Sequence, residues 1–164
     1  LQLPKDAICY DVGAGTGSLS VEMALRAFDG EVYAIEKKDE AADLIHENKM
    51  KFAADNLDVI KGEAPEALKS LPAPTHVFIG GSSGTLSQIV DLLMEKNPEV
   101  RIVINCITLE TVGEALQVIK NQQFTETDIV QISAARSKEI GRYHMMMGEN
   151  PIYIITCQKR EEKK

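Results

Sequence analysis

The sequence predicts an α/β fold of three layers, in which helices flank a seven-stranded, mostly parallel sheet whose last strand is antiparallel. Three observations carry that prediction. Short apolar runs alternate with longer stretches of helical period, a glycine-rich turn joins the first such pair, and two strand-like runs near the C-terminus follow one another with no helix between them.

Residues 7–12 form a compact apolar run ending in an acid and glycines, as a buried parallel strand does. Residues 18–28 carry Leu19, Met23 and Ala27 at helical spacing, with Gly30 as the stop. A second strand over 31–36 precedes a helix over 39–52, which turns Ala42, Ile45, Met50 and Ala53 toward its inner side. The third strand, 57–60, leads to a short helix over 65–70. The fourth, 75–79, is followed by Gly80-Gly81-Ser82-Ser83-Gly84 and a helix over 85–96. The fifth strand and helix take 100–107 and 109–122. The runs 126–134 and 151–158 make the antiparallel pair, because a parallel crossover requires a helix. Residues 159–164 are charged and read as a solvated, frayed end. The whole chain, 1–164, reads as one domain without internal repeat.

The composition narrows the partners. In 164 residues, 44% hydrophobic and 26% charged, 25 acids outweigh 18 Lys and Arg for a net charge of −7. A pI near 5.0 disfavours polyanions, so nucleic acid and anionic membrane are not expected partners. No apolar run approaches the ~20 residues of a membrane helix, and no signal-peptide pattern opens the chain. Leu1 is not a start methionine, so the chain is expected to be processed or cut from something longer. Cys9, Cys106 and Cys157 each lie in or beside a strand-like run, without CxxC spacing, and read as core thiols of a reducing cytoplasm. His46, His76 and His144 lack metal-ligand spacing, so no metal is expected.

The segment Asp11-Val-Gly13-Ala-Gly15-Thr-Gly17-Ser lies at the carboxyl end of the first strand, where open α/β sheets bind ligands. Its third glycine comes one residue too early for a dinucleotide fingerprint, and the Gly-Lys-Ser/Thr of a Walker loop is missing. Asp11 would repel a pyrophosphate and favour a ligand carrying an ammonium and a sulfonium. Glu36, 19 residues past Gly17, stands where an acid accepts hydrogen bonds from a ribose diol.

These residues resemble the cofactor signature of the class I S-adenosylmethionine-dependent methyltransferases, which have a Rossmann-like fold. The resemblance implies S-adenosylmethionine as cofactor, held by Asp11, Gly13, Ala14, Gly15, Thr16, Gly17, Glu36, Lys37, Glu63, Ala64 and Gly80. Of these, Lys37 by itself reads as a solvated surface residue. The segment Gly62-Glu63-Ala64-Pro65, expected beside the adenine, reads equally as a helix N-terminus. The Asn/Asp-Pro-Pro-Tyr motif of amino-group methyltransferases is missing after the fourth strand. Its echo in Asn150-Pro151-Ile152-Tyr153 reads as a turn entering a strand.

Five segments recur in order: Asp11-Val-Gly-Ala-Gly-Thr-Gly-Ser, Gly62-Glu-Ala-Pro-Glu-Ala-Leu, Phe78-Ile-Gly-Gly-Ser, Asn105-Cys-Ile-Thr-Leu-Glu110 and Ala135-Arg-Ser-Lys. So arranged, they resemble the decarboxylating precorrin or cobalt-precorrin C-15 methyltransferases of cobalamin synthesis. That resemblance implies a tetrapyrrole substrate, methyl transfer to carbon and loss of CO₂ from an acetate. Asn105 is the candidate for touching the reacting substrate, although a capping role suits it nearly as well, and Thr108 is expected to cap the next helix. Gly81 and Ser82 would face the substrate. Arg136, Lys138 and Arg142, in the loop joining the last strands, would clamp its carboxylates, unless they are only a solvated hairpin tip. Met145, Met146 and Met147 offer an apolar surface to a macrocycle or to a subunit interface. The resemblance further implies a homo-oligomer, with a tetramer as the expected form. The chain starts almost at the first strand, and resembles either the C-terminal half of a fusion with a C-5 methylating domain or a trimmed single-domain version. The competing readings are a class I methyltransferase acting on RNA or another small metabolite, a non-catalytic binding module and an NAD-dependent dehydrogenase.

Overall fold

The computed structural model describes residues 1–159. Its first strand, β1 (Ile8–Val12), alternates between two dry faces. Cys9 packs on one side with Val21, Met23 and Ala24 of α1 (Ser18–Arg26) and Ile45 of α2 (Asp39–Lys51). Tyr10 and Val12 pack on the other with Ile89, Val90 and Leu93 of α3 (Leu86–Lys96) and with Ala115 and Val118 of α4 (Leu109–Gln122). Helices on both faces explain why the central strands are apolar at successive positions, as at Ile102, Val103 and Ile104, all buried.

With β2 (Glu31–Glu36), β3 (Leu57–Lys61), β4 (His76–Ile79) and β5 (Arg101–Cys106), β1 forms a parallel array in the order β3-β2-β1-β4-β5. Two more strands complete seven. β6 (Glu126–Ile132) takes the edge, and β9 (Ile152–Gln158) inserts between β5 and β6, antiparallel to both, with Asn105 opposite Ile154 and Ile129 opposite Ile155. All of β6 is exposed, including Ile129, Val130 and Ile132.

Three expectations need correction. Met50 and Ala53, expected on the inner side of α2, are exposed, and only Ala42 and Ile45 of the four named there are buried. The short helix over 65–70 is a single 3₁₀ turn, Glu66–Leu68, anchored by buried Leu68, because so short a segment cannot offset the cost of helix nucleation. The loop between the last strands is a separate two-stranded sheet, β7 (Ala135–Ile140) and β8 (Tyr143–Gly148), which turns at Gly141 with φ 62°. Its strands lack apolar alternation because both faces are exposed, so only the turn glycine signalled it.

The three cysteines are free and buried, and burial raises all three thiols, those of Cys9 and Cys157 to about 12. Among the described residues, no helix is long and apolar enough to cross a membrane and no His, Cys, Asp and Glu cluster suits a metal ion. Of the tail read as solvated, Lys159 is exposed and residues 160–164 lie outside the described residues.

Candidate functional site

β1 has β2 on one side and β4 on the other, so the chain reverses its strand order there and a crevice opens at the carboxyl ends. Two backbone turns meet in it. A Cβ at Gly13 would stand 3.0 Å from the amide nitrogen and the carbonyl oxygen of Gly81, so the turns touch without room for a side chain. The Gly80 amide closes the contact by donating to the Val12 carbonyl at 2.9 Å. Gly15 differs: its φ is 56°, and a Cβ there would meet nothing within 4 Å.

The Gly15 amide donates to Glu36 Oε2 at 2.8 Å, and Glu36 Oε1 accepts from the amides of Lys37 and Lys38 at 2.9 and 3.0 Å. Three of the roughly four lone-pair directions of this carboxylate are therefore taken by backbone, which leaves about one for a ligand hydroxyl. Glu36 is only 8% exposed, so its geometry is set in advance. It borders a cavity of about 350 Å³ shared with Gly13, Gly15, Thr16, Ile35, Lys37, Glu63 and Ala64. A second cavity, of about 420 Å³, lies beyond Gly81, Ser82 and Ser83, which line both; its far walls include Asn105, Thr108, Glu110 and Glu114.

The side-chain oxygen of Asn105 is buried without a hydrogen-bond partner among the described residues. The expected cap is Thr108, whose hydroxyl accepts from the Thr111 amide at 3.2 Å, so Asn105 keeps an unmet acceptor. Leaving such a group unpaired costs about 1–3 kcal/mol, and a donor on a ligand recovers it.

Asp11 lies beneath the glycine turn, only 2% exposed, and accepts from the Ser20 hydroxyl at 2.5 Å. Burial raises its pKa to about 6, the Ser20 hydrogen bonds oppose the rise, and nearby Glu36 adds to it. Because its folded value exceeds its ordinary 3.8, the native state holds the extra proton across that interval. Stability is thus expected to fall as pH rises from about 4 to about 6. Thermal unfolding of Asp11→Asn should show that slope flattened; an unchanged profile would mean that Asp11 does not titrate there.

The structure brings Gly13, Gly15, Thr16, Glu36, Lys37, Glu63 and Ala64 onto the first cavity, Gly80 and Asn105 onto the second, and Gly81 and Ser82 onto both. It keeps three expected contacts off the walls. Asp11 is underneath, the Ala14 amide is engaged by the Ile35 carbonyl at 3.1 Å, and Gly17 is pressed against Ile45 as the left-handed cap of α1. Arg136, Lys138 and Arg142 line neither cavity. They lie on the exposed hairpin, where Arg136 Nε is 3.8 Å from Glu149 and Arg142 Nε donates to the Tyr143 hydroxyl at 3.1 Å. Sequence reasoning missed Ser83, Glu110 and Glu114. The i, i+4 spacing of the two acids on α4 was the available signal for one shared face.

The family described as the precorrin methyltransferase domain matches residues 1–159. The chain is 36% identical over 162 residues to the cobalt-precorrin-6B C(15)-methyltransferase (decarboxylating) of Salmonella typhimurium, covering 98% of this chain and 83% of that protein. It is similar to the crystal structure of precorrin-6y C5,15-methyltransferase from Geobacter metallireducens, with TM-score 0.88, 34% identity and coverage of 97% and 84% of the two chains. It is also similar to precorrin 8W decarboxylase of Methanobacterium thermoautotrophicum, with TM-score 0.82, 33% identity and coverage of 93% and 81%.

Proposed function

This chain belongs to the precorrin methyltransferase family, and from that premise we propose that it methylates C-15 of a precorrin or cobalt-precorrin and removes CO₂ from an acetate side chain, in cobalamin biosynthesis. The observation that carries this reading is a pair of cavities separated only by the backbone and small hydroxyls of Gly81, Ser82 and Ser83. Because the two cavities adjoin at these residues, a methyl donor in one and an acceptor carbon in the other can meet over their shared rim at the ~3–3.5 Å that displacement requires.

The residues of the first cavity fit S-adenosylmethionine, which supplies a methyl group on a sulfonium when bound. Glu36 is held by three amides with a lone pair left for a ribose hydroxyl, and Gly15 leaves open the space that a side chain would fill. Ile35 and Ala64 offer an apolar bed for the adenine. Asp11, although out of contact, sets a negative potential under the site that favours a cationic ligand.

In the second cavity Asn105 orients the macrocycle through its unmet acceptor. The methyl group that the substrate carbon accepts would be supplied by S-adenosylmethionine, which would leave as the neutral thioether. The acetate's carbon–carbon bond then releases CO₂, its electrons pass into the macrocycle, and a proton takes the carboxylate's place. No strong protein base is required, because the electron-rich macrocycle is itself the nucleophile. The exposed apolar edge at β6 supports a homo-oligomer, in which Arg136, Lys138 and Arg142 meet substrate carboxylates from the hairpin.

Mass spectrometry of a reduced precorrin incubated with the chain and S-adenosylmethionine should find one methyl gained and one CO₂ lost. Methylation of an RNA or another small metabolite, with the precorrin untouched, would overturn the assignment.

A further inference from the structure

Lys37 joins the walls of both cavities. Its amide, just past the end of β2, donates to Glu36, while its ammonium donates to Glu63 Oε1 at 2.8 Å, beyond β3, and to Ser83 Oγ at 3.0 Å, beyond β4. The Lys37 ammonium, with a smaller contribution from the Ser83 hydroxyl, holds the Glu63 carboxyl below its usual range. One lysine thus ties together the carboxyl ends of β2, β3 and β4, reaching across β1 to the last of them.

The tie matters at Ser83. This residue belongs to the partition between the cavities and has φ 50°, in the left-handed region that serine adopts at a cost. Lys37 and Glu63 side chains are about half exposed, 49% and 55%, so their ion pair adds little to overall stability. Its consequence is local: it fixes where the partition stands.

We propose that Lys37 is a positioning residue that holds Ser83 and Glu63 so that the partition aligns methyl donor with acceptor. The proposal rests on the methyl-transfer reading and goes beyond it. Because the charge of Lys37 is already met by Glu63, removing Lys37 leaves a bare carboxylate beside the cofactor cavity, which a ligand carrying an ammonium group, as S-adenosylmethionine and S-adenosylhomocysteine both do, tolerates. Cofactor binding should therefore survive while alignment suffers.

The test uses Lys37→Met, Lys37→Arg, Ser83→Ala and the Lys37→Met/Ser83→Ala double variant, with calorimetric titration of S-adenosylhomocysteine and turnover of the precorrin. Lys37→Met should lower kcat by about three- to tenfold, the scale of one exposed ion pair and one charge-assisted hydrogen bond. Its Kd for S-adenosylhomocysteine should stay within about twofold of the unaltered chain. Lys37→Arg should restore kcat, and the double variant should be no slower than Lys37→Met alone, since both changes cut one link. An unchanged kcat, a Kd weakened as much as kcat/KM, or additive losses would each overturn the proposal. If the unaltered chain itself binds no S-adenosylhomocysteine, the methyltransferase reading fails, and with it the role of Lys37; that result is distinct from all the others.

Discussion

Gly15→Val is expected to abolish binding of S-adenosylmethionine and S-adenosylhomocysteine while leaving the sheet folded. A side chain at this position meets no protein atom within 4 Å and stands in the cavity that Gly15 lines, so it fills ligand space without displacing the core. The backbone is a second obstacle, because φ is 56° and a β-branched residue is strongly disfavoured there. That strain, of about 1–2 kcal/mol, lowers the unfolding midpoint by roughly 2–8 °C in a chain of this size. Calorimetry at millimolar ligand, with a thermal melt beside it, checks both parts. Retained binding would show that the cofactor does not approach the glycine turn; a collapsed melt would show that Gly15 serves the fold.

Glu36→Ala should weaken the cofactor by about 1.5–3 kcal/mol, or roughly 10- to 150-fold, the scale of hydrogen bonds to a charged group. Glu36→Gln should be little better, because the carboxylate takes three amide donors, on both of its oxygens. A carboxamide keeps one acceptor oxygen and turns an NH₂ toward at least one of those donors. An affinity unchanged in either variant, by the same titration, would remove Glu36 from the ribose and leave it a brace of the glycine turn.

Much of the fold was legible because it is written in local periods. The apolar runs that became β1, β2 and β5, and the glycine and Glu36 of the first cavity, lie where spacing and turn chemistry put them. Residues 65–70 were misread because a short helical pattern does not reveal whether the segment can afford nucleation. The segment offered as a solvated hairpin tip was not read as two strands because β7 and β8 bury neither face, so neither shows the alternation by which strands are recognised. The charge of the hairpin's Arg136, Lys138 and Arg142 was legible in the sequence, but their distance from both cavities was not, because charge does not say which surface a segment faces.

The amino-acid order by itself determined the succession of strands and helices, the antiparallel finish and the acid that ends the second strand, since each follows from neighbours along the chain. Tertiary structure alone decided that Asp11 is covered by Ser20, that residues 81–83 line two adjoining cavities, that Lys37 reaches Glu63 and Ser83, and that the Asn105 side-chain oxygen finds no donor among the described residues. Those relations join segments far apart along the chain, 37 to 63 and 37 to 83 among them. They depend on β4 lying beside β1 and β9 sliding between β5 and β6, a through-space arrangement that no local period encodes.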